Sequence, residues 1–256
     1  MNNNIDKIIK FSLTGKFAHF KKFYTNSSSL SYLIPPRTTI IGLIASILKI
    51  KRDEYYEILN EKNLKVSVCI PENLEIRKQM QSLNYLHNFY YNLITKGKGK
   101  VQHSQCKFEL LMFPLEKKIE YNIYLGFNQT NETINKFEEK LIKNDLGFGV
   151  YFGQRQFKAD IEFKSSFIDS DIVFYSESEF LDSLCSEENF YELSSELNTD
   201  VLSEQMPINF RQIKDKKNIE REPISVKKIF FEKKGKRLKG KFGNCYFVDK
   251  KYISFY

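Results

Sequence analysis

Apolar and polar residues alternate in short stretches along this chain, and helical spacing interrupts the alternation clearly at only two places. Lys7-Ile8-Ile9-Lys10-Phe11-Ser12-Leu13 reads as a half-buried strand ending at Gly15, where the backbone can turn without steric cost. After a basic, hydroxyl-rich loop, Pro35-Pro36 breaks any regular element. Thr38 or Thr39 can then cap a helix whose Ile40, Ile41, Leu43, Ile44, Ile47 and Leu48 form a broad apolar face. Leu64 to Ile70 alternates as a second strand before Pro71, and Lys118 to Gly126 as a third. Asn131 caps a second helix in which Ile134, Phe137, Leu141 and Ile142 recur at helical spacing, and Ala159 to Phe163 gives a further strand. This βαββαβ order predicts an α+β, ferredoxin-like layer: an antiparallel sheet with two helices on one face.

The segment between the second and third strands is less regular. Arg77 and Lys78 on one side and the Lys96-Gly97-Lys98-Gly99-Lys100 turn on the other bracket an aromatic region, which suggests a projecting, thumb-like hairpin over about 76–110 with a flexible cationic tip. Beyond Phe163, the acidic and serine-rich Ser176–Ser203 reads as helical or loosely ordered. Ile224 to Phe231 and Asn244 to Tyr256 read as strands joined by a basic run. The predicted organisation is one α+β domain over 1–168, followed over 169–256 by an acidic segment and a small, basic, β-rich extension.

Composition narrows the function classes. With 256 residues, 41% of them hydrophobic, the chain can bury a core without metals or disulfides. Cys69, Cys106, Cys185 and Cys245 lie far apart and lack the C-x-x-C spacing of zinc or redox sites, as suits free thiols in a reducing cytoplasm. The longest apolar-rich window, Ile40 to Ile50, is too short to cross a bilayer, so a soluble, cytoplasmic protein without a membrane partner is expected. The net charge of +8 conceals a division. Met1 to Lys158 holds 24 basic and 14 acidic residues, Ala159 to Phe210 holds 1 and 13, and Arg211 to Tyr256 holds 15 and 5. Two basic regions flanking an acidic one imply polyanion binding on particular surfaces, with the acidic stretch facing away from the nucleic acid. For any single run, a solvated face is the better explanation.

Lys16, His19, Lys21, Lys22 and Tyr24 lie close together, beside Thr25, Asn26, Ser27, Ser28 and Ser29. They offer cations and short hydrogen-bond donors suited to phosphate oxygens, and Tyr24 or Phe23 could stack on a base. Arg37, at a helix N-terminus, is a candidate phosphate clamp, with a salt bridge to a carboxylate as the alternative. Metal-free cleavage of RNA would need a base, an acid and a cation, and His19, Lys21, Tyr24 and His103 supply those types. No P-loop, Rossmann fingerprint, zinc spacing or Ser-His-Asp signature is present, so no cofactor or metal is expected.

Three blocks in order resemble the CRISPR-associated Cas-five family: Phe11 to Leu48, His103 to Leu111 with the Tyr121–Leu125 strand, and Gly149 to Asp160 with Gly153 at its centre. The resemblance implies a modified RNA-recognition (RRM-like, RAMP) fold in a non-catalytic subunit of a type I Cascade surveillance complex, most like the type I-B branch, acting in antiviral defence. Such a subunit caps the five-prime handle of the crRNA and contacts the Cas-seven backbone and the large Cas-eight subunit.

On that basis Lys16, His19, Lys21, Lys22, Tyr24 and Arg37 would hold handle phosphates and a base. Arg77, Lys78, Lys96, Lys98, Lys100 and His103 would lie along the thumb near the first guide bases, and Gly153, Gln154 and Arg155 on the same face. The C-terminal basic run suits RNA, target DNA or a neighbouring subunit. Relatives of the type I-C branch cut repeat RNA with a Tyr/Lys/His site that has no residue-by-residue counterpart here. A metal-independent endoribonuclease using some of His19, Lys21, Tyr24 and His103 is the alternative.

Overall fold

The alternating segment near the start of the chain forms β1 (Lys7–Gly15), the strand around which the first half is arranged. The structure, a computed structural model, describes residues 5–25, 29–86, 88–97, 103–113, 117–194, 199–214 and 219–256. Three two-residue strands, β2 (Phe17–Ala18), β3 (Phe20–Lys21) and β4 (Ser31–Tyr32), lead to α1 (Arg37–Ile47). Next, β5 (Lys65–Cys69) precedes a long excursion made of β6 (Arg77–Leu86), α2 (Asn88–Thr95) and β7 (His103–Met112). The first half closes with β8 (Ile119–Phe127), α3 (Glu132–Ile142) and β9 (Ala159–Ile168). Strands then dominate: β10 (Val173–Leu181), β11 (Cys185–Ser186), β12 (Phe190–Leu193), β13 (Val201–Lys214), β14 (Ile219–Glu232), β15 (Leu238–Val248) and β16 (Lys251–Ser254).

The main sheet runs β5-β8-β1-β9, antiparallel throughout, which is the ferredoxin-like strand order expected from βαββαβ. The two faces of β1 carry different cores. Ile9, Phe11 and Leu13 point into a large cluster with Ile40, Ile41, Ile44 and Ile47 of α1 and with Ile134, Phe137 and Leu141 of α3. Each fully buried Ile or Phe there contributes roughly 1.5–3 kcal/mol. Ile8, with Cys69 and Tyr124 on neighbouring strands, packs instead against Val248, Ile253 and Phe255. The protein's own C-terminal strands thus cover part of the sheet face turned away from α1 and α3.

Several local expectations change. Pro36, not a threonine, is the N-cap of α1. It provides no side-chain bond, but its extended backbone lets its carbonyl accept from the Thr39 amide, so Arg37 already lies inside the helix. Asn131 does cap α3, its side-chain oxygen accepting from the Ile134 amide at 3.3 Å, while Ile142 is 60% exposed and outside the core. The thumb is a real hairpin, registered from Arg77↔Met112 to Leu86↔His103, and it carries α2 near its tip. The described residues of Ser176–Ser203 lie mainly in β10, β11, β12 and β13, with one 3-10 turn at Glu187–Asn189; Glu177, Glu179 and Glu192 point to solvent while Leu181, Leu184 and Cys185 are buried. Asn244 to Tyr256 folds back at Asp249-Lys250, where both residues have positive φ as a two-residue hairpin turn requires.

The boundary at residue 168 marks the junction of β9 with β10, yet burial does not stop there. Leu184, Met206, Ile208, Ile229, Phe231 and Tyr256 belong to the same cluster as α1 and α3. Among the described residues no helix is long and apolar enough to cross a membrane.

Candidate nucleic-acid interface

A groove of about 720 Å³ opens beside α1. One wall is β3 with the turn after it, bringing Lys21, Lys22 and Phe23; the floor includes Pro36, Thr38, Thr39 and Gly42 of the α1 region. Phe148, Tyr151 and Gly153 form a second wall, and the β13–β14 hairpin completes it with Pro207, Phe210, Arg221 and Pro223. Lys21, Lys22, Arg52 and Arg221 line it, and among the described residues no Asp or Glu does. Phe23 (40% exposed), Tyr151 (43%) and Phe148 (67%) offer accessible ring faces. Cations beside unpaired aromatic faces, without carboxylates, suit a flexible polyanion that carries planar groups, the chemistry of single-stranded nucleic acid.

The four cations differ in how much charge they can offer. The Lys22 ammonium is 2.5 Å from Glu204; burial alone would lower its pKa, but the bond to Glu204 outweighs burial and the net shift is upward. Arg52 lies 3.3 Å from Asp53. Lys21 is exposed, and the exposed Arg221 stacks its guanidinium 5.4 Å from the Phe210 ring centre. Among the described residues neither Lys21 nor Arg221 forms an ion pair with a carboxylate, though Arg221 also reaches the Tyr56 hydroxyl.

Of the residues expected from sequence, Lys21, Lys22 and Gly153 meet in this groove. Lys16, over the Phe17 ring, and Tyr24, edge-to-face with Phe23, are exposed nearby along the same segment. His19 does not join them. It is completely buried, with its ring centroid 3.9 Å from that of Phe108. Its Nδ1 donates to the Glu109 carbonyl (2.7 Å), so Nε2 accepts from the Ser29 hydroxyl (2.9 Å). Burial lowers its pKa, giving a neutral imidazole that ties the β2–β3 segment to the thumb.

Arg37 is likewise no phosphate clamp, nor does it pair with a carboxylate. Fully buried, it donates to the carbonyls of Leu59 (2.8 Å), Leu64 (2.7 Å) and Ile208 (3.0 Å) and to Asn209 Oδ1 (2.9 Å). Burial brings its pKa down to about 10.

Lys78 is also turned inward, 2.7 Å from the Ser31 carbonyl and within ion-pair reach of Glu109 and Glu204. Glu204 belongs to the acidic stretch, so that stretch does not face wholly away from the basic region: it discharges Lys22 and Lys78 from within. Arg77 is exposed at the base of the thumb, 3.7 Å from Glu75. Lys96 is exposed just after α2. Lys98, Lys100, His87, Asn26, Ser27 and Ser28 lie outside the described residues.

His103 is exposed at the far end of β7, six residues and roughly 20 Å along the strand from the Glu109 that holds His19. The His19, Lys21, Tyr24 and His103 set is therefore not gathered into one site. Gln154 accepts from the Gln156 amide, and Arg155 is exposed beyond the groove lining. Gly153 lines the groove, but the fold itself requires glycine there. Its φ is +78°, and a Cβ would sit 2.0 Å from the His19 carbonyl oxygen.

Sequence reasoning missed Arg52, Phe148, Tyr151, Phe210 and Arg221. The Lys51-Arg52 pair was a weak local signal. For Arg221 there was none, because only the docking of the β13–β14 hairpin on α1 brings it here.

The model of the family described as CRISPR-associated protein (Cas_Cas5) matches residues 8–203. A crystal structure of a CRISPR protein from Archaeoglobus fulgidus is similar, with a TM-score of 0.52 at 13% identity, covering 97% of this chain and 100% of that one. A chain of a CRISPR RNA-guided surveillance complex gives a TM-score of 0.49 at 12% identity, covering 88% and 89%. No curated protein matches the sequence.

Proposed function

The chain belongs to the CRISPR-associated Cas-five family, and from that premise we propose that it is a non-catalytic RNA-binding subunit of a type I Cascade complex. It caps the five-prime handle of the crRNA and contacts the Cas-seven and Cas-eight subunits in antiviral defence. The observation that carries the RNA-binding reading is the groove beside α1: four cations, exposed rings and, among the described residues, no carboxylate in its lining. Lys21 and Arg221 bind phosphates, and Phe23 or Tyr151 stacks on an unpaired base, each stack worth roughly 1–3 kcal/mol.

The non-catalytic part rests on His19. An imidazole with both nitrogens bonded inside the protein and its pKa lowered by burial has no free position from which to take a proton from a 2′-hydroxyl.

The test incubates purified protein with labelled CRISPR repeat RNA in EDTA, on a denaturing gel beside native gels at about 50 and 200 mM salt. The expected result is a shift that weakens steeply with salt and no cleavage. Discrete cleavage products would replace this reading with the endoribonuclease, and binding insensitive to salt would remove the phosphate contacts.

A further inference from the structure

β10 pairs with β15 along one side, and among the described residues no strand pairs with its other side. Val173 to Glu177 are exposed on both faces of the sheet. Phe174 and Tyr175, which project to opposite faces, are braced from behind by rings of the adjoining strands. Phe174 lies 5.1 Å from Tyr246, and Tyr175 lies 5.9 Å from Tyr252, which in turn contacts Phe247 at 4.8 Å. The edge is thus stiff, aromatic and open, with a row of backbone N–H and C=O groups available to another chain.

Charge narrows what that chain is. Glu177 and Glu179 are exposed on β10 and Asp169 and Asp171 just before it, and none of the four makes an ion pair among the described residues. Two copies of β10 paired antiparallel about Ser178 would set Glu177 of each against Glu179 of the other, and like charges directly opposite are unfavourable. Phosphates would be repelled for the same reason. We propose that the free edge of β10 receives, by strand addition, an extended segment of a partner protein in which Lys or Arg alternates with apolar residues. The cations would face Glu177 and Glu179, and the apolar side chains would lie on the opposite face, beside Phe174. Ring bracing means little of the edge must be ordered on binding. No residue of β10 lines the RNA groove, so this inference stands apart from the RNA-binding reading.

The test uses the full chain and three fluorescent peptides of nine residues, the length of β10. They are alternating Lys and Val, the same peptide with Glu for Lys, and the Lys–Val peptide with proline at alternate Val positions. Anisotropy measures binding, and hydrogen exchange reads protection of the Val173–Glu179 amides. The Lys–Val peptide is expected to bind saturably and slow exchange in that segment, while the proline and Glu peptides do neither. The Glu177→Lys/Glu179→Lys variant should weaken binding about tenfold, two opposite-charge pairs becoming like-charge ones, with its melting temperature and its RNA shift unchanged. Absence of saturable binding, binding without amide protection, or equal binding of the Glu or proline peptide would overturn the proposal. None of these outcomes depends on RNA.

Discussion

Removing the charges of Lys21 and Arg221 from the groove should change how RNA affinity responds to salt more distinctively than it changes affinity itself. For single strands, log K falls with log salt by about 0.7 per phosphate neutralised. Lys21 and Arg221 have no carboxylate partner among the described residues, so each contributes one such contact, whereas Lys22 is discharged by Glu204 and Arg52 by Asp53. The Lys21→Ala/Arg221→Ala double variant should therefore lose about 1.4 from the slope, making the affinity drop across a fourfold rise in salt about sevenfold smaller. Glu204→Gln acts in the opposite sense. It frees the Lys22 ammonium for a phosphate and should steepen the slope by about 0.7. Anisotropy titrations with five-prime-labelled repeat RNA over a salt series measure both slopes, and thermal melting checks that each variant is folded. An unchanged slope in the double variant, or no steepening in Glu204→Gln, would show that the phosphates do not run through this groove.

Three further outcomes follow from buried groups. Because burial lowers the His19 pKa, the unfolded chain takes up a proton first as pH falls below about 6.5, and stability declines from there to the folded-state pKa. Urea unfolding at pH 7.5, 6 and 5 should show that decline, and His19→Gln should flatten it. Gly153→Ala should cost about 2–4 kcal/mol, from the positive φ and the clash with the His19 carbonyl; a loss under ~1 kcal/mol in denaturant titration would contradict the close approach. Arg37→Met strands three buried carbonyls at roughly 1–3 kcal/mol each and recovers about 3 kcal/mol of the guanidinium's desolvation, expressed in its pKa near 10. A net loss of about 3 kcal/mol is expected, read as a lower urea midpoint at unchanged m.

The parts of the fold that were legible in the sequence are those whose causes are local. Alternation in the sequence marks β1 and β8 as strands although both of their faces meet a core, and Asn131 marks α3 because its cap bond spans three residues. The candidate site was less legible, because the type of a charged residue does not say which way it points. Arg37 carried a signal that could have been weighed: it stands at helical spacing from Ile40, Ile41 and Ile44, hence on the buried face of α1. His19 is flanked by Ala18 and Phe20, and all three are buried, so alternation at that point gave no warning. Part of what holds both residues inside is remote in sequence, β13 for Arg37 and β7 for His19, and no window along the chain contains those contacts.

The segregated charge of the chain is subject to the same limit. A run of lysines reads as a surface for phosphate, but each lysine is available only if no carboxylate reaches it first. The acidic stretch supplies such carboxylates at several places: Asp160 meets Lys118, Asp182, Glu187, Glu188, Glu192 and Asp200 meet cations of the last third of the chain, and Glu204 on β13 meets Lys22 and Lys78 beside the groove. It leaves others, Glu177 and Glu179 on β10, facing outward without an ion pair among the described residues. Opposite charge has thus been put to two uses: inside, to dock the second half of the chain against the first and build one wall of the groove; outside, to mark an edge that phosphate avoids. The cations left over at the groove, Lys21 and Arg221, come from opposite sides of that junction. An RNA strand lying across them would bridge the two halves, so loosening the Glu204 contacts should alter the groove's shape as well as its charge.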